Sequence, residues 1–257
     1  MNDHIVVIGT GEMSGVFTRG LLKLGHPVIP VKRNSDMEKM AAALSLPVMV
    51  MVAVGEADLH PVLEKIPSAW QDRLVLLQNE LLPRDWHAHG LLNPTVISVW
   101  FEKKKGQDYK VLVPSPVFGP HAKLIERSLE ALEIPCWELS GIDELEFELV
   151  RKNVYILTTN ISGLELPKGT NVDTLWQQHR ELALEIAHEV MDIQCKLIGR
   201  ELDRDRLIAG MEEGILGDPA HICTGRSAPA RLKRNLGFAD EHQLPAPRMR
   251  EIAAKLG

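Results

Sequence analysis

Cysteine is scarce in this chain of 257 residues, which carries only Cys136, Cys195 and Cys223. An odd number, widely spaced and without a CxxC pair, excludes a disulfide framework and fits idle thiols in a reducing cytosol. No apolar run approaches the roughly eighteen residues of a membrane span. The longest, Leu46 to Val54, has the length of a strand. Positive charge is not in excess: 29 Lys and Arg stand against 35 Asp and Glu, so non-specific nucleic-acid binding is not expected. The opening MNDHIVVI lacks the charged and long apolar regions of a secretory signal, which again points to the cytoplasm. The 10 histidines include His87 and His89, yet neither HExxH nor a Cys/His ligand spacing occurs, so no metal site is expected. Internal repeats and low-complexity segments are missing as well.

What is there is ordinary for a folded chain: 45% hydrophobic and 25% charged residues, enough for a real core in one large domain or two modest ones. The first half alternates strand-like runs with amphipathic helix patterns. The runs are His4–Ile8, Val28–Val31, Val48–Ala53, Leu74–Gln78, Val96–Val99, Tyr109–Pro114 and Pro135–Glu138. The helix patterns are Gly15–Leu24, Met37–Ala43, Asp58–Lys65 and His121–Leu132. Such alternation predicts a parallel sheet with helices on both faces. IVVI and MVMVAV are apolar without alternation, as strands covered on both faces should be. From Gly141 onward the strand signals stop. Helices are expected over Asp143–Thr159, Asp173–Ile198, Arg204–Glu213, Pro229–Glu241 and Pro247–Leu256. The expected organisation is therefore a doubly wound Rossmann-type domain over 1–141, then a helical substrate and dimerisation domain over 142–257.

The first strand runs into Gly9-Thr10-Gly11-Glu12-Met13-Ser14-Gly15 and then a helix pattern. This approximates the dinucleotide fingerprint G-x-G-x-x-G at the first strand-to-helix turn. Gly9 allows the tight turn, Gly11 lets a pyrophosphate approach the backbone, and the helix N-terminus offers free N–H groups. Serine fills the third glycine position and is small enough for close packing. A plain connecting turn is the alternative. The second strand ends in Lys32-Arg33-Asn34, where an NAD site normally has an acidic residue for the ribose 2′-hydroxyl. Two cations there favour NADP(H), with Arg33 pairing a 2′-phosphate and Lys32 or Asn34 assisting. The alternative is a pair of solvated loop charges.

With these landmarks the chain resembles the ketopantoate reductase family, within the 6-phosphogluconate dehydrogenase-like group. Leu76-Leu77-Gln78-Asn79-Glu80 is similar to that family's LLQNG segment, with Glu80 in place of the glycine. The resemblance implies that Asn79 sits at the junction of cofactor and substrate. The family's lysine with an asparagine eight residues later is matched by Lys152 and Asn160. Eight residues leave roughly 80° between the two side chains, so both can overlook one cleft. In the family that lysine is the general acid, and the match makes Lys152 the candidate proton donor and Asn160 a substrate ligand. Gln243-Leu244-Pro245-Ala246-Pro247 is similar to the family's GIPTP before the last helix. Ile156 stands where the family often has a further asparagine, and no glutamate lies between Glu213 and Glu241, where the family's hydroxyl-binding one belongs. In that stretch Ser227 and Thr224 are candidate hydroxyl contacts, and Arg226 and Arg231 are candidate carboxylate clamps.

The function these residues imply is NADPH-dependent reduction of a small 2-oxo acid or related carbonyl compound. The expected partners are a small-molecule substrate and a second copy of the chain, with neither nucleic acid nor membrane. Two rivals stay open. One is a non-catalytic NADP-binding sensor on the same fold. The other is an imine reductase of the pyrroline-5-carboxylate reductase type.

Overall fold

A computed structural model describes residues 4–256. The chain divides into two compact units, one ending at Glu148 and the other beginning at Leu149.

In the sheet unit, β1 (Ile5–Ile8), α1 (Glu12–Lys23), β2 (Val28–Val31), α2 (Met37–Ala43) and β3 (Met49–Val52) open the chain. They are followed by α3 (Leu59–Leu63), β4 (Leu74–Leu76), α4 (Pro83–His87), β5 (Thr95–Ile97), β6 (Phe101–Lys103) and β7 (Tyr109–Val111). Next come β8 (Ser115–Phe118), α5 (Ala122–Glu130) and β9 (Cys136–Glu138). Among the described residues, seven strands form one sheet in the order β2-β1-β3-β4-β5-β8-β9. The first five pair in parallel, β8 runs antiparallel to β5, and β9 is parallel to β8. The parallel sheet expected is found over the first five strands, and β8 adds one antiparallel pairing to it. Tyr109–Pro114 does not join it either: β7 pairs back on β6 as a separate hairpin, and Ser115–Phe118 supplies the sheet strand.

Both sets of alternating side chains on β1 and β3 are buried, which is why these runs show no polar alternation. Phe17 and Leu21 of α1 and Ile125 and Leu129 of α5 share one cluster with Ile5, Val7, Met49 and Met51. Gly20 lets α1 and α5 approach closely: a Cβ there would lie 2.1 Å from the carbonyl oxygen of Ser128. Pro30 is tolerated in β2 because that strand is at the sheet's edge. The chain leaves β1 toward β2 on one side and returns to β3 on the other. That reversal opens a crevice at the carboxyl ends of β1 and β3, where open α/β sheets bind ligands.

The long helix α6 (Ile142–Ser162) carries the boundary between units, so its first turns belong with the sheet. Then follow α7 (Val172–Gln178), α8 (Arg180–Ile198), α9 (Arg204–Gly217), α10 (Ala228–Glu241) and α11 (Pro247–Leu256). The single helix expected over Asp173–Ile198 is two. His179 leaves helical geometry at φ −132°, ψ 35°, and breaks it. Asn171 and Asp203 cap α7 and α9 by accepting from Thr174 N and Arg206 N. Gly199 ends α8 in the left-handed region at φ 76°. No helix among the described residues is long and apolar enough to cross a membrane.

Candidate functional site

The glycine turn hangs from the end of β1. Ala53 N donates to Ile8 O at 2.8 Å and Gly9 N to Val31 O at 3.0 Å, so both neighbouring strands hold it. Gly9 has φ +99°, and a Cβ on it would stand 2.4 Å from the carbonyl oxygen of Ala53. Only glycine fits there. Gly11 is the N-cap of α1, in extended backbone, and a Cβ on it would meet nothing within 4 Å; the same holds for Gly15. The space in front of the first turn of α1 is therefore open, as an anion on the helix N-terminus requires. Ser14 is buried and donates from Oγ to Gly11 O at 2.6 Å, so the hydroxyl in the third glycine position braces the turn. Met13 is partly buried and packs on the core cluster.

A hollow of about 170 Å³ lies against this turn, lined by Thr10, Gly11, Gly15, Arg19, Lys103 and Tyr109 among others. The Arg19 guanidinium sits 5.4 Å over the Tyr109 ring. Lys103 Nζ lies 3.3 Å from the Glu12 carboxylate, so the one acid in the first turn of α1 has a cation beside it. Sequence reasoning passed over Arg19, Lys103 and Tyr109. The sole signal was a basic run, Lys103-Lys104-Lys105, beside a hairpin that was not expected.

Arg33 follows β2 and is almost fully exposed, with Nη2 3.1 Å from Asp58 Oδ2. Lys32 and Asn34 are exposed as well, and the Lys32 N–H donates to Ser35 Oγ at 3.0 Å. At the end of β4, Gln78 is buried and donates from Nε2 to Val52 O at 2.6 Å, pinning this turn to the end of β3. Asn79 comes next and is half-buried. Glu80 then takes φ 61°, the left-handed geometry that a glycine would adopt without strain.

The helical unit is built around α6, from which most polar side chains point inward. Lys152 is 6% exposed and Asn160 7% exposed, so neither is a solvated helix charge or amide. Arg151 Nη2 meets Glu213 Oε2 at 2.6 Å, and its stem lies over Gly210, where a Cβ would be 2.4 Å from Arg151 Nε. Asn153 Nδ2 donates to Gln194 Oε1 at 2.8 Å. Asn160 donates from Nδ2 to Cys223 O at 2.9 Å and accepts from Arg231 Nη1 at 2.8 Å. An amide expected to serve substrate thus has internal partners at both ends. It fixes the segment before α10 and orients a buried guanidinium. Of the two candidate arginines, Arg231 is the buried one; Arg226 and Ser227 are exposed, and Thr224 is half-buried. A hollow of about 790 Å³ in this unit lies between the starts of α8 and α11 and is not lined by Lys152 or Asn160.

The cysteines are poor nucleophiles. Burial pushes the Cys136 thiol up to about 12 and the Cys223 thiol up to about 11, and it raises Cys195 too.

Comparison with solved structures matches the whole architecture. A PanE/ApbA family ketopantoate reductase from Ralstonia eutropha JMP134 aligns with a TM-score of 0.68 at 14% identity, over 97% of this chain and 96% of that one. The fold is that of the ketopantoate reductase structures. A D-mandelate dehydrogenase solved with NADH gives a TM-score of 0.67 at 14% identity, covering 98% and 96% of the two chains. A 2-dehydropantoate 2-reductase from Methylococcus capsulatus gives 0.66 at 15% identity, covering 98% and 95%. No protein-family model matches the chain, and no curated protein matches it in sequence. The fold is thus shared along nearly the whole chain, at an identity of only 14–15%.

Proposed function

We propose that this chain is an NADP(H)-dependent reductase of a small 2-oxo acid or related carbonyl compound, acting in the cytoplasm. The observation that carries the reading is the glycine turn: Gly9 locked against the Ala53 carbonyl and Gly11 open at the N-terminus of α1. The residues present fit a dinucleotide. The free N–H groups of α1 take the pyrophosphate, with Thr10 beside them and Lys103 holding the Glu12 carboxylate. Arg33, with Lys32 next to it, exchanges Asp58 for the 2′-phosphate. When bound, the cofactor supplies the hydride.

The helical domain, read as 142–257, takes substrate and the second copy, and the domain before it takes the nucleotide. Asn79 orders the nicotinamide end. Lys152 gives its Nζ proton to the carbonyl oxygen as that oxygen gains charge. Arg231, oriented by Asn160, holds the substrate carboxylate, with Ser227 and Arg226 at its margin.

The test is NADPH oxidation over a panel of 2-oxo acids and cyclic imines, repeated with Lys152→Ala. Turnover of a 2-oxo acid that falls roughly 10²–10⁴-fold in Lys152→Ala, with NADPH affinity unchanged, is expected of a positioned proton donor. Full turnover in that variant removes Lys152 from the chemistry. A second reading, an NADP-binding protein without turnover, draws on the engaged amide of Asn160. Tight NADPH binding with no substrate turned over selects it.

A further inference from the structure

His89, set aside in the sequence, has a partner that no linear spacing reveals. His60 lies on α3, in the connection that leaves β3, and His89 follows α4, in the connection that leaves β4. Because β3 and β4 are parallel neighbours, their outgoing connections are adjacent. His60 Nδ1 and His89 Nε2 face each other at 2.8 Å although 29 residues separate them in sequence. The ring centroids are 5.1 Å apart with 31° between the planes.

A carboxylate stands behind His60. Asp85 on α4 accepts the Leu82 N–H on Oδ2 at 2.8 Å, which fixes the group, and its Oδ1 lies 3.7 Å from His60 Nε2. That negative charge favours the proton on Nε2. The Nδ1 lone pair then points at His89. A carboxylate behind one imidazole, with the other nitrogen turned outward, is the usual environment of a metal-ligating histidine.

We propose that His60 Nδ1 and His89 Nε2 chelate one divalent transition-metal ion, oriented by Asp85, as a clip between the connections that follow β3 and β4. Two imidazoles suit zinc, copper or nickel and not magnesium or calcium, which take oxygen ligands. Metal–nitrogen bonds of about 2.0–2.1 Å need the two nitrogens to part slightly from their present contact. Both rings lie in exposed connections; His60 is 49% exposed, which leaves room for water in the other coordination positions. The balance is simple. His89 moves its proton from Nε2 to Nδ1, both facing nitrogens offer lone pairs, and no net proton is released. The clip is distant in role from hydride transfer and stands whether or not the chain is a reductase.

The experiment is zinc titration of the full chain by calorimetry, with thermal melts at rising zinc. The parent is expected to bind one ion per chain and to melt higher as zinc rises, since a ligand for the folded state stabilises it by mass action. His60→Ala and His89→Ala should each weaken binding at least roughly tenfold and abolish the zinc-dependent shift in melting. His87→Ala should keep both. Melts without metal establish that the variants fold. Copper added in place of zinc should give an electron paramagnetic resonance spectrum with two nitrogen couplings in the parent and one in each variant. Equal zinc affinity in the parent and the His60→Ala, His89→Ala double variant overturns the proposal, as does a parent that binds no zinc. In either case the two rings merely share a proton.

Discussion

The sheet unit and the helical unit carry their candidate residues in opposite ways. In the first, the decisive geometry lies on one continuous segment: β1, Gly9, Gly11 and the first turn of α1 follow each other directly. In the second, the buried amides of α6 take their roles from residues far along the chain. Asn153 meets Gln194 41 positions away, and Asn160 meets Cys223 and Arg231 at 63 and 71. A local motif therefore specifies the nucleotide turn, whereas the role of Asn160 emerges only when two helices and a loop are assembled. Divergence should accordingly spare the first and remodel the second.

The largest expected effect breaks the turn itself. Gly9→Ala puts a Cβ 2.4 Å from backbone in a left-handed conformation, so strain and overpacking act together. About 4 kcal/mol of stability should be lost, read by urea unfolding. Gly11→Val, two residues on, meets open space and should cost less than about 1 kcal/mol, the worth of an altered cap, yet end NADPH binding. If both variants unfold alike, the turn is one structural element and not a lock beside an open cradle.

Asn160→Ala tests the helical unit the same way. It leaves the Cys223 carbonyl and an Arg231 N–H without their partner inside a buried region. About 2–4 kcal/mol of stability should go with it, alongside any loss of activity. A purely substrate-binding asparagine would change KM and leave the melting point untouched, so the two measurements separate the roles.

These two units also differ in how much of them was legible. Val28–Val31 and Met37–Ala43 match the expected bounds, because a short apolar run and an Asp36-capped turn are local signals. The hairpin β6–β7 and the antiparallel β8 were not expected, since which strand joins the sheet is settled by neighbours and not by its own residues. The break at His179 was hidden because the apolar periodicity runs on through it. Lys152 and Asn160 are legible by resemblance, but their burial and partners are not, and nothing local marks Gln78 as the pin between β3 and β4.

A smaller effect concerns the cofactor's adenine end. Arg33 is exposed and already paired to Asp58, so its gain from a 2′-phosphate is at the low end for a charge-assisted bond. Arg33→Ala should weaken NADPH by about 1.5 kcal/mol, roughly tenfold, and leave NADH unchanged. Asp58→Asn should move NADPH the other way, because it removes a negative charge beside the phosphate position. Equal losses for both cofactors in Arg33→Ala would place the 2′-phosphate elsewhere.

The smallest effect asks whether the turn after β4 has kept a glycine's backbone after losing the glycine. Glu80 sits at φ 61°, where an L side chain costs about 1–2 kcal/mol. Glu80→Gly removes that cost but adds about 0.5–1 kcal/mol of unfolded-state entropy. It also lifts a like charge from Asp85, whose carboxyl is pushed up by burial, with Glu80 adding to it. The sum is a gain of roughly 0.5–1 kcal/mol, seen as a higher urea midpoint with an unchanged slope. The Asp85 carboxyl should titrate lower in the variant, which carbon-detected NMR can follow. A loss of stability would mean that the contacts of the Glu80 side chain outweigh its backbone strain, and that this turn was rebuilt around glutamate when the glycine went.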